Sequence, residues 1–231
     1  MERMHSRWLM LLAPAAMALM TVGQYFIWIY APEEATMGLV QKIFYFHLPL
    51  AWWAFAAFFG VFVSSILVLV TKREDWDVWA AALAEAGVLL SGLALVSGSV
   101  WGRAAWNTWW TWDPRLSTTL VMWFVYAGYL VLRAADVGGA KAARVRAVLG
   151  IVAFLDVPLV FVSARLWRSI HPSVFASKSG GLEPEMWTTV WINVLAWGVL
   201  CTALVLTRYH GMTLRHRVEA ALVRMQEKTL Q

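Results

Sequence analysis

Two histidines and a run of tryptophans carry the chemistry this sequence has to offer. His47 stands in YFHLPLAWW and His171 in LWRSIHPSVF, and residues 101–115 read WGRAAWNTWWTWDPR, five tryptophans in fifteen positions. Imidazole is the commonest protein ligand for metals near neutral pH. Two imidazoles do not close a zinc site, which takes four ligands. Two is the number of axial donors that a haem iron needs, because the porphyrin supplies the other four nitrogens. A porphyrin is also flat and apolar, which suits stacked indoles. Its two propionates suit guanidinium partners with charge-assisted, bidentate geometry. Arg103, Arg115, Arg165 and Arg168 stand near the tryptophans or near His171.

Each element has a plainer explanation. A histidine at a membrane interface is usually a solvated polar residue. Indoles at that depth usually form an anchoring belt, and Trp52, Trp53, Trp187 and Trp191 read that way. Interfacial arginines often contact lipid phosphates. Trp101, Trp106, Trp109, Trp110 and Trp112 exceed what a belt needs, because Asp113 and Arg115 interrupt their apolar character. A zinc or copper site at the two histidines is the minor alternative. The coincidence of histidine, tryptophan and arginine on one side favours a porphyrin.

The elements that must position these groups are membrane helices. The chain is 61% hydrophobic and 14% charged, with mean hydropathy +0.62, against roughly 25% charged in a soluble domain. A span needs about 20 apolar residues. Six runs qualify, at about 8–30, 43–70, 78–100, 116–132, 147–166 and 187–207. The fold expected is an all-α integral membrane protein of six transmembrane helices in one membrane domain, 1–231. The first run exceeds the 7–15 residues of a signal-peptide core, so it reads as a retained helix.

Orientation follows from Lys and Arg. One side holds Arg3, Arg7, Lys72, Arg73, Arg133, Lys141, Arg144, Arg146, Arg208, Arg215, Arg217, Arg224 and Lys228; the other holds Lys42, Arg103, Arg115, Arg165, Arg168 and Lys178. Thirteen against six makes the first side cytoplasmic. Both termini are then cytoplasmic, and the tryptophan segment and both histidines face outward. The net charge of +5 reflects these connections, and no nucleic-acid partner is expected. The tail after Arg208 reads as a basic amphipathic helix on the inner leaflet.

Cys201 is the one cysteine, so no internal disulfide forms. The chain contains neither CxxCH nor a GxxxxGK[ST] loop, so it neither attaches c-type haem nor hydrolyses ATP by itself. Glu85 and Asp156 fall within predicted spans, where ionisable groups are functional candidates. Glu85 is expected to reach water or Arg73. Asp156, two residues before Pro158, is expected to cap backbone freed by that proline or to pair with a helix. Ser91, Gly92, Ser97 and Gly98 suit close helix packing.

The segment WGRAAWNTWWTWDPRLSTTL (residues 101–120) resembles the tryptophan-rich WWD signature of membrane haem-handling proteins in cytochrome c biogenesis. The matching positions are Trp101, Gly102, Trp106, Trp109, Trp110, Trp112, Asp113, Arg115 and Leu116. The order of an outer histidine in HLP, the WWD segment 101–116 and a second outer histidine is similar to the haem exporter protein C (CcmC) family. The resemblance covers nearly the whole chain. It departs at Asn107, where a glycine is usual, at Pro114, where alanine is frequent, and at Ala104, where proline is common.

The resemblance implies haem b, bound non-covalently as substrate, with His47 and His171 as axial ligands and Arg103, Arg115 and Arg168 beside it. It implies presentation of haem to the periplasmic chaperone CcmE. It also implies association with the small single-span subunit CcmD and the transporter subunits CcmA and CcmB, in a bacterial inner membrane. Two other classes stay open. The chain would be a permease subunit of an ABC-type transporter moving haem or another small solute, or a purely structural membrane subunit with a tryptophan belt. No catalytic residues are expected in any of the three.

Overall fold

The computed structural model describes residues 2–135, 139–167 and 182–229. Among the described residues every extended element is a helix, and there is no β-strand. The helices are α1 (Glu2–Tyr25), α2 (Phe44–Thr71), α3 (Asp75–Trp106), α4 (Pro114–Ala135), α5 (Ala140–Phe154), α6 (Asp156–Leu166) and α7 (Pro184–Thr229). A π-helical turn, Phe26–Tyr30, extends α1, and a 3₁₀ turn, Leu39–Ile43, leads into α2. Six helical runs are long and apolar enough to cross a membrane, with α5 and α6 together supplying the fifth. The protein is a multi-pass membrane protein.

The fifth crossing is broken at Leu155. Pro158 explains the break. It has no N–H to offer the carbonyl four residues back, at Phe154, but it is tolerated in the first turn of a new helix. Asp156 opens that helix, and its buried Oδ2 accepts no hydrogen bond among the described residues. The cap or helix pairing expected of this carboxylate is therefore not made by Oδ2.

α2 lies at the centre, packed against α3, α5 and α7, while α1 lies along α7. Phe58 of α2 stacks on Tyr126 of α4, with ring centroids 3.7 Å apart. Trp53 belongs to this interior rather than to a belt. Its Nε1 donates to Val194 O at 2.8 Å, tying α2 to α7. The indole lies over Gly198, where a Cβ would come within 2.3 Å of Cζ2. Small residues let membrane helices approach this closely.

The end of the bundle away from His47 is closed by charge. Asp77, at the start of α3, receives both Nη atoms of Arg133 at 2.8 Å, and Nε and Nη2 of Arg146 at 3.2 and 2.9 Å. All three side chains are largely buried. One carboxylate thus joins the ends of α3, α4 and α5. Glu85 pairs with Arg208 of α7, not with Arg73, which instead bonds Asp75. Glu85 and Arg208 face each other across the α3–α7 contact, where Trp79 also stacks on Tyr209 at 4.3 Å.

The tail does not fold back. α7 runs unbroken from Pro184 to Thr229, and a continuous helix cannot turn sharply into the membrane plane without a kink residue. Its apolar side chains Leu214, Val218, Leu222 and Met225 are exposed.

Candidate functional site: a tryptophan-walled pocket at the histidine end

The pocket is assembled from three helices and the loop between two of them. α2 supplies His47, α3 supplies Gly98, Trp101, Gly102 and Trp106, the loop supplies Thr108, Trp109, Trp110, Thr111 and Asp113, and α4 supplies Leu116. Little of the space between these walls is enclosed; most of it is open mouth.

His47 sits in the first turn of α2, half-buried. Its Nδ1 lies 3.1 Å from Ser97 Oγ. The Trp101 ring meets its edge at 5.9 Å and 63°. Gly98 leaves room for the imidazole, since a Cβ there would stand 3.0 Å from Cε1.

The tryptophans divide by burial. Trp101 is 5% exposed and packs against Phe44 and Trp106, with centroids 6.0 Å from each. It anchors α3 to α2. Trp106, Trp109 and Trp112 are 39%, 61% and 79% exposed. Trp110 is half-buried and meets Trp112 edge to face at 5.9 Å. These indoles leave apolar surface uncovered beside the pocket, open to a ligand or to the membrane interface.

Asp113 has a structural duty as well as a place in the pocket wall. It is buried, and its Oδ1 accepts from Arg115 N at 2.9 Å. That is an N-cap, with Pro114 at the first helical position. Arg103 donates from Nη1 to Asn107 O at 3.0 Å and to Asn107 Oδ1, so its guanidinium closes the loop. Arg115 lies beside Asp113.

Of the residues singled out from sequence, His47, Trp101, Trp106, Trp109, Trp110 and Asp113 meet in one cavity. Trp112, Arg103 and Arg115 stand around it without lining it. His171 and Arg168 lie outside the described residues. Sequence reasoning missed Gly98, Thr108 and Thr111 as wall and Ser97 as the partner of His47. The available signal was spacing, since Ser97, Gly98 and Trp101 share one face of α3 at helical periodicity.

A family model, Heme exporter protein C (CcmC), matches residues 1–224. The chain belongs to this family. It is 31% identical over 211 residues to the Heme exporter protein C of Bradyrhizobium diazoefficiens, covering 90% of this chain and 80% of that one. It is 29% identical to the Heme exporter protein C of Escherichia coli K12, covering 88% and 82%. A ccmC-like mitochondrial protein of Marchantia polymorpha, named for cytochrome c biosynthesis, is 29% identical over 67% of this chain and 64% of its own length.

The loop departures noted from the sequence have local explanations. Asn107 ends α3 in the left-handed region at φ 58° and bonds back to Gly102 O. Asparagine tolerates that conformation better than most residues. Arg103 further ties down its side chain. Pro114 falls where its missing N–H costs nothing, directly after the cap.

Proposed function

We propose that this chain serves cytochrome c maturation by binding haem at the His47 end of the bundle and presenting it to a periplasmic chaperone of the CcmE type. The observation that carries the reading is the gathering of His47 with Trp101, Trp106, Trp109 and Trp110 around one open pocket. A nitrogen donor between apolar flat walls suits a porphyrin. The names of the relatives, heme exporter protein C and a protein of cytochrome c biosynthesis, agree with it.

In this reading His47 and His171 take the two axial positions of the iron. The buried Trp101 fixes the pocket floor, and the exposed Trp109 and Trp112 cover the macrocycle against water. Arg115 and Arg168 attract the propionates, while Arg103 keeps the loop in shape. Haem enters as substrate, held non-covalently as haem b, and its iron oxidation state is one lever for release. One porphyrin edge stays accessible for the chaperone. The positive-inside bias of thirteen against six turns this end to the periplasm of a bacterial inner membrane and both termini to the cytoplasm. CcmA, CcmB and CcmD are the membrane partners expected for the complex.

The test is absorption spectroscopy of the detergent-purified protein beside His47→Ala and His171→Ala. A Soret band with sharp α and β bands on reduction, altered in each variant, is the expected result. A wild type that stays haem-free when produced with ample haem and its partner subunits sinks the reading and moves the permease subunit to first place.

A further inference from the structure

Ser97 makes two contacts that together decide where a proton sits. Its Oγ lies 3.1 Å from Ala94 O, within its own helix, and 3.1 Å from His47 Nδ1 on the neighbouring helix. A serine hydroxyl has one proton and two lone pairs, and a backbone carbonyl only accepts. When the hydroxyl proton goes to Ala94 O, the back-bond within its own helix, Ser97 has a lone pair to offer His47, and Nδ1 carries the imidazole proton and donates it. In neutral imidazole the other nitrogen, Nε2, then bears the lone pair.

The surroundings hold the ring in this pose. Gly98 presents bare backbone to Cε1, where a Cβ would stand 3.0 Å away. The edge of Trp101 closes another side. A metal binds the nitrogen that has the lone pair, and the hydrogen bond on the other nitrogen sets which one that is.

We infer that Ser97 is a positioning residue that fixes His47 as its Nδ1–H tautomer and so makes Nε2 the nitrogen that ligates iron. The inference rests on the haem reading above. It adds a residue that touches neither haem nor iron yet sets the ligand's basicity. Partners of this kind typically contribute about 10–100-fold to metal affinity.

The experiment compares Ser97→Thr with Ser97→Val in the full chain, produced with its membrane partners. The two side chains have nearly the same shape, so both disturb packing alike and only threonine keeps the hydroxyl. Haem affinity and the midpoint potential of the bound iron are measured beside wild type and His47→Ala. Ser97→Thr is expected to stay near wild type. Ser97→Val is expected to bind about 10–100-fold more weakly, with a higher midpoint potential, because a less basic ligand stabilises oxidised iron less. Equal losses in both variants would show a packing role and overturn the inference. Wild-type behaviour in both, with His47→Ala impaired, would overturn it while leaving the haem reading intact. A normal haem spectrum in His47→Ala would instead remove His47 as an iron ligand, and this inference with it, while a haem-free wild type would defeat the haem reading. Nitrogen-15 shifts of the His47 ring in haem-free protein read the tautomer directly: a protonated Nδ1 supports the assignment and a protonated Nε2 refutes it.

Discussion

The two ends of the bundle treat polar and aromatic groups in opposite ways. At the Asp77 end, one carboxylate takes four hydrogen bonds from two arginines, and the set is largely buried. At the His47 end, three indoles project outward around an open pocket, beside the Asp113 cap and the Arg103–Asn107 bonds of the loop. The first arrangement closes three helix ends into a unit. The second keeps apolar surface uncovered, where a bound ligand or the membrane interface can meet it. In the proposed reading, stability and recognition fall to opposite ends of the same helices, with α3 and α4 reaching both.

Separate roles imply separable losses. Asp77→Ala should have the largest effect, because it strands two buried guanidinium groups. Losing one partner of a buried ion pair costs about 3–5 kcal/mol. Thermal unfolding in detergent should show the drop, and what folded protein remains should keep its haem spectrum. A spectrum lost in proportion to stability would mean the two ends are one cooperative site.

Asp113→Ala should cost less, about 0.5–2 kcal/mol for a lost N-cap, yet it touches both functions. The N-terminus of α4 frays and the pocket wall moves with it. Lower haem occupancy together with a modest fall in melting temperature is expected. Asp113→Asn, which can still cap, should restore most of the stability, and a variant as unstable as alanine would show that the cap is not what matters.

Trp112→Ala marks the small end of the scale. The side chain is 79% exposed, and such surface changes usually stay within about 0.5 kcal/mol. Haem occupancy, or transfer to the chaperone, should nevertheless fall. A variant with both stability and haem handling unchanged would return this indole to the interfacial belt.

Much of the architecture was legible in the sequence because lipid imposes a coarse rule. Apolar runs of about 20 residues broken by charged connections leave little choice but helices. The tryptophan segment was legible because so many indoles beside Asp113 and Arg115 exceed what an interface requires. Ser97 and Gly98 were not, since a small residue that packs helices and one that seats a histidine look the same in sequence. Only their facing partner separates them. Asp77, Arg133 and Arg146 were obscured for a different reason. Counting basic residues for orientation treats each as solvated, whereas two of them are neutralised by one carboxylate. The kink in the fifth crossing was signalled by Pro158, but Asp156 drew the attention as a polar group rather than as the first residue of a new helix.

The unbroken length of α7 has a mechanical consequence. It is held on α2 where Trp53 crosses Gly198 and on α3 where Arg208 and Tyr209 meet Glu85 and Trp79; only residues 210–229 extend beyond these contacts. At 1.5 Å per residue that arm is about 30 Å long, so a tilt of about 10° at its base sweeps its tip through about 5 Å. The projecting end is therefore a long handle, reachable well away from the pocket end where Pro184 begins the helix.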